Sequence, residues 1–209
     1  MDKTDSEIPS AVDFNDASQV NEWITRTVQK RVWRPRFFAT FANALNDRFE
    51  RPFDVIELGS GPGHLAGAVL ESCNVASYTA IDLSAVMHGY ARQHLGDRAG
   101  RVRFLLRDFR HDDWAEGLAR VDTVLTMQSA HEVRHRSRQP ALLRKIRELL
   151  KPAGLLLFCD HYFEDGTERA SELFLPRDEQ PDMIRAAGFE QVTQLLDLGG
   201  MSLYRAQKA

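Results

Sequence analysis

Two stretches of this chain carry residues whose types and spacing suit chemistry. In the first, Glu57-Leu58-Gly59-Ser60-Gly61-Pro62-Gly63-His64-Leu65, three glycines alternate directly after the apolar run Val55-Ile56. A strand that ends in Gly-x-Gly-x-Gly and runs into a helix can bring its backbone close to a ligand. It offers the ligand bare amides and a helix N-terminus. A dinucleotide fingerprint would need glycine at position 64, which is His64, and a phosphate loop would need Gly-Lys-Ser/Thr, which is absent. The next strand ends on Asp82, in Thr79-Ala80-Ile81-Asp82-Leu83-Ser84, where a carboxylate can accept both hydroxyls of a ribose. A ligand with a ribose and no pyrophosphate is expected.

The second stretch is Gln128-Ser129-Ala130-His131-Glu132-Val133-Arg134-His135. Its last five residues read as His-Glu-x-x-His, a zinc-peptidase signature. That chemistry needs a helix, so that both histidines share one face and the glutamate works on zinc-bound water. Here the segment follows a strand closely and meets Arg136-Ser137-Arg138-Gln139-Pro140 after about one turn's worth of residues. A zinc hydrolase is therefore a remote alternative and no metal is expected. An imidazole at His131 with a pKa near ~6.5 could instead remove a proton from a hydroxyl or amine.

These residues need a frame. After Pro52, strand candidates Asp54–Leu58, Tyr78–Asp82, Val102–Arg107, Val121–Met127 and Leu155–Asp160 alternate with helix candidates Leu65–Cys73, Ala85–Leu95 and Pro140–Leu150. That alternation predicts βαβ units and a parallel sheet covered on both faces. A helix at Glu179–Ala187 and two strands, Phe189–Leu196 and Met201–Ala206, joined at Gly199-Gly200, predict an antiparallel finish. Ahead of the sheet, Trp23, Ile24, Thr27, Val28 and Val32 lie at helical spacing, as do Phe37, Phe38, Phe41 and Leu45, with Pro35 suiting the first turn of the second helix. The first dozen residues are polar and acidic and are expected to be loosely held.

Composition narrows the function classes. The chain has 209 residues and a formal net charge of −3, which argues against a mainly electrostatic nucleic-acid binder. It lacks an apolar run near the ~20 residues of a membrane span, and Met1–Glu7 has no signal-peptide pattern. Two cysteines, Cys73 and Cys159, without metal-type spacing, fit a reduced, cytoplasmic chain.

With these blocks in order, the chain resembles the class I S-adenosylmethionine-dependent methyltransferases. Val55–Gly63 resembles the family's first motif, Ala80–Ser84 the second, Leu106-Arg107-Asp108-Phe109 the third, Val121–Gln128 the fourth strand, and Leu149–Leu156 the passage into the fifth. Together they cover roughly residues 50 to 160. The resemblance implies an α/β fold: a Rossmann-like, doubly wound, seven-stranded sheet, mostly parallel with an antiparallel C-terminal hairpin. It implies a tail and helical lid over 1–48 and the methyltransferase domain over 49–209. It implies S-adenosylmethionine as cofactor, held by Glu57, Gly59, Gly61, Gly63, Asp82, Leu83, Asp108, Phe109 and Gln128. Glu57 would fix the methionine part, Asp82 the ribose, Asp108 the adenine amino group and Phe109 the ring.

Ala130-His131-Glu132-Val133 resembles the Leu-His-His-Val pattern of small-molecule members, which makes His131 the catalytic candidate, either as a base or as a wall of the cofactor pocket. Glu132 would orient His131 or face solvent. Met127-Gln128-Ser129-Ala130 lacks the Asn/Asp-Pro-Pro-Tyr/Phe motif of nucleic-acid amino methylation. A small-molecule acceptor, methylated on oxygen or nitrogen, is therefore expected, with no nucleic-acid or membrane partner and a homodimer admitted. Trp23, Trp33, Phe37 and Phe38 could wall the acceptor pocket and His161 could enter it. Arg134, with Arg136 and Arg138, would either capture an acidic substrate group or stay solvated. A cofactor-binding sensor or partner subunit without transferase activity is the alternative.

Overall fold

The computed structural model describes residues 7–164 and 168–209. Residues 1–6, which include most of the segment read for a signal peptide and the start of the acidic tail, lie outside the described residues. Seven strands form one sheet in the order β3-β2-β1-β4-β5-β7-β6. They are β1 (Phe53–Leu58), β2 (Val75–Asp82), β3 (Val102–Leu106), β4 (Val121–Met127), β5 (Leu150–His161), β6 (Phe189–Leu198) and β7 (Met201–Lys208). The first five are parallel, and β7 runs antiparallel to both β5 and β6. This is the Rossmann-like α/β sheet expected from the alternating pattern.

The central strands explain the order. Every residue of β4 is buried, which suits a strand covered on both faces. The helices that cover it are α2 (Arg34–Arg48), α3 (His64–Ser72), α4 (Ala85–Leu95), α5 (Gln139–Leu149) and α7 (Glu179–Ala186), while α1 (Ala17–Lys30) and the short α6 (Glu168–Leu173) lie elsewhere along the chain. In α5, Leu142, Leu143, Ile146 and Leu149 are buried along one stripe, at the three- and four-residue spacing of an amphipathic helix. In α2, Phe37, Phe41, Ala44 and Leu45 join Phe53, Val55, Leu65 and Leu125 in one core cluster. Each fully buried aromatic or leucine side chain of that kind contributes about 1.5–3 kcal/mol. Helix α2 is thus built into the body of the fold.

Four elements differ from the sequence expectation. Strand β2 begins three residues early, at Val75, because the chain pairs with Phe53 as soon as it leaves α3. Strand β5 begins at Leu150 and absorbs Lys151-Pro152-Ala153-Gly154, with a register shift opposite Val121 and Thr123. The hairpin strands run two residues further each, to Leu198 and Lys208, around Gly199 and Gly200, whose φ values of 62° and 76° suit a tight hairpin turn. The segment from residue 7 onward is not loose. Ile8 is buried, its N–H donates to Arg134 O at 3.0 Å, and Arg134 donates back through Nε to Ile8 O and Nη2 to Pro9 O at 2.7 and 2.8 Å. Among the described residues, no helix is long and apolar enough to cross a membrane.

Candidate active site

The order reverses between β1 and β4, and the crevice beside such a switch point is where ligands bind open α/β sheets. A cavity of about 520 Å³ opens there at the C-terminal ends of the strands. Its floor on one side is Gly59, Gly61, Asp82, Leu83 and Phe109, and on the other Gln128, His131, Glu132 and His161. Phe14 and Trp23 close it from the N-terminal side, their rings edge to face at 5.7 Å.

The glycine loop has a distinct reason at each position. Gly59 has φ +63°, and a β-carbon there would stand 2.2 Å from Ser129 Cβ, so the first glycine lets β1 and β4 meet. Gly61 has φ +52° and nothing within 4 Å of its would-be β-carbon, so the second faces open space. Gly63 does not line the cavity. It caps α3 in the left-handed region and packs against Ala91 of α4. The Gly61 N–H donates to Asp82 Oδ2 at 2.8 Å, and Asp82 Oδ1 takes the Ser84 N–H at 2.9 Å, tying the loop to the end of β2. Burial raises the Asp82 carboxyl above its ordinary range, against these N–H donors.

Beneath the loop lies a recess of about 40 Å³, lined by Arg34, Glu57, Ser60, His64 and Gln128 among others. Arg34 Nε, Ser60 Oγ, His64 Nε2 and Gln128 Oε1 are buried there without a hydrogen-bond partner among the described residues. Glu57 accepts the Tyr78 hydroxyl at 2.6 Å, and burial pushes its carboxyl up to about 8. Gln128, at the end of β4, has φ 59°, a left-handed conformation uncommon for a residue with a side chain. Its Nε2 donates to His161 Nε2 at 2.9 Å, while His161 Nδ1 donates to Gly200 O at 3.2 Å. Burial brings the His161 pKa down to about 4, so this ring is neutral.

His131 stands opposite. Its backbone N–H donates to Asp160 Oδ2 at 2.8 Å and its Nδ1 to Asp160 Oδ1 at 2.6 Å. Nε2 lies 3.4 Å from Glu132 Oε1. Burial works against the charged ring, but Asp160 and Glu132 outweigh it and lift the pKa to about 10. Burial alone would raise Glu132, yet His131 and Arg134 bring it down to about 2. The rings of His131, His161 and Phe174 form a triangle with centroids 5.0 to 5.9 Å apart.

Several expected site residues sit elsewhere. Phe37 is fully buried under the sheet and Trp33 packs on Phe37 and Gly199, so neither walls the cavity. Phe38 rests on the His64 side of α3. Asp108 does not line the cavity, because Arg110 grips both its oxygens, with Nε at 3.0 and 2.9 Å, and Glu7 pairs with Arg110 in turn. Arg134 is buried, donates to Ile8, Pro9 and Glu132, and does not line the cavity. Nor does His-Glu-x-x-His form a helical metal face. Ala130–Val133 is a single 3₁₀ turn, Arg134 turns left-handed at φ 64°, and His135 caps the next turn through Ser137.

The methyltransferase-domain family model matches residues 55–154, from within β1 into β5. Residues 55–154 are thus a methyltransferase domain. Among curated proteins it is similar to the hybrid PKS-NRPS synthetase iliA of Neonectria sp. (strain DH2), 29% identical over 111 residues, which are 51% of this chain and 3% of that synthetase. The chain thus spans a very small part of that relative. Among solved structures, an O-methyltransferase family protein from Burkholderia thailandensis superposes with TM-score 0.73 at 20% identity, covering 93% of this chain and 60% of that one. The Burkholderia thailandensis 1,6-didemethyltoxoflavin-N1-methyltransferase, with its acceptor and S-adenosylhomocysteine bound, superposes with TM-score 0.62 at 21% identity, over 98% and 94% of the two chains. At these identities the likeness is one of fold.

The sequence pattern does not mark Asp160, Arg31, Arg34, Phe14, Tyr162, Phe163 or Phe174, which the structure brings to the cavity or its recess. Asp160 could have been found from its place: β4 and β5 pair through Met127 and Cys159, which sets the next residue of β5 beside the segment that follows β4. The others lie in loops or on α1, α2 and α6, where no periodicity marks a pocket.

Proposed function

We propose that the enzyme transfers a methyl group from S-adenosylmethionine to oxygen or nitrogen of a small-molecule acceptor, with His131 taking the acceptor's proton. One observation carries this reading: a single cavity runs from Gly59, Gly61 and Asp82 to the paired His131 and Asp160. The 1,6-didemethyltoxoflavin-N1-methyltransferase, which aligns with nearly the whole chain, holds 1,6-didemethyltoxoflavin beside S-adenosylhomocysteine, and that supports a small-molecule acceptor here.

The residues fit the cofactor on their own chemistry. Asp82, at the end of β2, would take the ribose hydroxyls, with Leu83 and Phe109 as apolar flanks of the base. In the recess below, two unpartnered donors, Arg34 Nε and Ser60 Oγ, would receive a carboxylate, while Gln128 Oε1 and Glu57 would receive an ammonium. The bound cofactor supplies an electrophilic methyl carbon on a sulfonium. Holding an acceptor in line with such a carbon is worth about 7–11 kcal/mol, so the aromatic walls Phe14, Trp23 and Phe174 contribute through position alone.

Asp160 fixes the His131 ring through Nδ1 and leaves Nε2 toward the cavity, where an acceptor competes with Glu132. The ring is not the near-neutral base that an unperturbed histidine would be. With its pKa at about 10 it rests protonated at pH 7, so the form that takes a proton from a phenol-like hydroxyl of pKa ~10 is the fraction that has first released its Nε2 proton to solvent, a fraction that grows with pH. Proton exchange between matched groups costs little, and the imidazolium then faces an ionised acceptor.

The test is direct. Calorimetry with S-adenosylhomocysteine should show one site per chain, and incubation with S-adenosylmethionine and hydroxylated aromatic acceptors should release S-adenosylhomocysteine. His131→Ala should slow that release about 10²- to 10⁴-fold with cofactor affinity unchanged. Binding without release for any acceptor would point to a sensor, and absence of binding would overturn the reading.

A further inference from the structure

Arg31 ends α1, with its backbone N–H bonded to Thr27 O at 3.0 Å, and its half-buried side chain lines the large cavity beside His131, His161, Tyr162 and Gly200. It makes no hydrogen bond or ion pair among the described residues. The neighbouring charges are otherwise matched. His131 is paired with Asp160, and Glu132 with Arg134 at 2.7 Å. Arg34, three residues on, lines the separate small recess with Glu57 and Ser60. The cofactor carries a single carboxylate, and that recess already offers two donors for it. One guanidinium is left over, on the acceptor side and within electrostatic reach of Asp160 and His161.

We propose that Arg31 is a specificity-determining residue that binds an anionic group, a carboxylate or phosphate, on a ring-bearing acceptor. The proposal rests on the methyl-transfer reading and names its substrate class. A guanidinium partly withdrawn from water and holding no direct ion pair gains from an anionic partner, and its planar fork of donors suits an oxyanion. The walls around it are largely rings, Phe14, Trp23, Tyr162, Phe163 and Phe174, so the rest of the acceptor is flat and apolar. Arg31 thus takes one of the two roles that the sequence left open for Arg134. It anchors the far end of the acceptor while His131 receives the reacting hydroxyl or amine.

The experiment titrates the protein saturated with S-adenosylhomocysteine. The probes are 4-hydroxybenzoate, indole-3-acetate and phenyl phosphate, the first two set against their amides and the third against phenol. At least one anion should bind about tenfold tighter than its neutral counterpart, the gain expected of a charge-assisted contact. Arg31→Met should abolish that preference, Arg31→Lys should keep part of it, and both should bind S-adenosylhomocysteine as the wild type does. Equal affinity for anions and neutral counterparts, no binding of any probe, or Arg31→Met weakening S-adenosylhomocysteine itself would overturn the assignment. Failure of the wild type to bind S-adenosylhomocysteine would instead sink the methyl-transfer reading.

Discussion

Asp160 holds His131 at two points, taking its backbone N–H with Oδ2 at 2.8 Å and its ring Nδ1 with Oδ1 at 2.6 Å. A carboxylate bonded this way sets both the position of the residue and the tautomer of its ring. It also keeps the proton on that ring to a pKa of about 10, against the opposing effect of burial. For a hydroxyl acceptor, kcat/KM should therefore climb with pH well past 7, where an ordinary imidazole base would level off near ~6.5. In Asp160→Asn the rising limb should move to lower pH while the plateau falls about 10²-fold or more. A wild-type profile flat above pH 7 would contradict this.

Gly59 and Gly61 share a positive φ but differ in surroundings, and their alanine variants should part accordingly. Gly59→Ala drives a β-carbon into Ser129, whose Oγ is already committed to Leu58 O at 2.7 Å, so the clash has no easy relief. A loss of about 3 kcal/mol in urea unfolding is expected. Gly61→Ala meets open space and should cost only the ~1 kcal/mol of left-handed strain. It should nonetheless weaken S-adenosylhomocysteine at least about tenfold, since that open space is the ligand's. Calorimetry beside unfolding curves separates the two effects.

Asp122, at the start of β4, is far from the rim and serves stability. It takes the Asp54 N–H at 2.9 Å, Arg51 at 2.8 Å and Lys151 at 2.9 Å. Burial would raise its carboxyl, but these donors bring it down to about 2. A depressed carboxyl stabilises the fold above its unfolded value near ~3.9 and loses that contribution as pH falls toward 2. Asp122→Asn should thus cost about 2 kcal/mol at pH 7, and its gap from the wild type should narrow between pH 4.5 and ~2.5. A gap that stays constant across that window would refute the assignment.

Arg134 fastens the N-terminal segment rather than a substrate. Its Nε and Nη2 hold Ile8 and Pro9, and the same segment leads to Phe14, whose carbonyl accepts the Ser84 hydroxyl and whose ring faces Trp23. Arg134→Met should speed amide hydrogen exchange across residues 8–16 by about tenfold or more. It should also raise the acceptor KM, and leave the thermal midpoint of the sheet nearly unmoved. Unchanged exchange there would show that the segment is held by other contacts.

The sequence was informative where one physical demand dominates. The alternation of buried strands with amphipathic helices set the parallel sheet, and the Gly199-Gly200 turn set the antiparallel end. The glycine-loop side of the cavity was legible because backbone approach admits few residues besides glycine, and because Asp82 stands at a fixed place relative to the loop. The acceptor edge was not. Its residues come from α1, the segment after β4, β5 and its following loop, and α6, and only the fold brings them together. Phe37 and Arg31 show the difference. Phe37 lies in α2 and Arg31 caps the end of α1, both are of ordinary type, and which one faces core and which one faces cavity depends on how α1 and α2 pack. Arg134 misled because a charge beside a catalytic segment reads the same whether it meets a ligand or a main-chain carbonyl.

The switch in strand order between β1 and β4 also divides the wall of the cavity into two parts. The side proposed for the nucleoside is drawn from the ends of β1, β2 and β3, with glycine, aspartate and main-chain amides. Partner choice is drawn from β4, β5, the β6–β7 turn and the elements packed over them, with large side chains. Changes at Phe174 or Tyr162 can therefore redirect which compound is modified without disturbing the donor, and combinations spanning the divide should sum rather than interact. Such an arrangement lets one inherited half serve many chemistries through remodelling of the other.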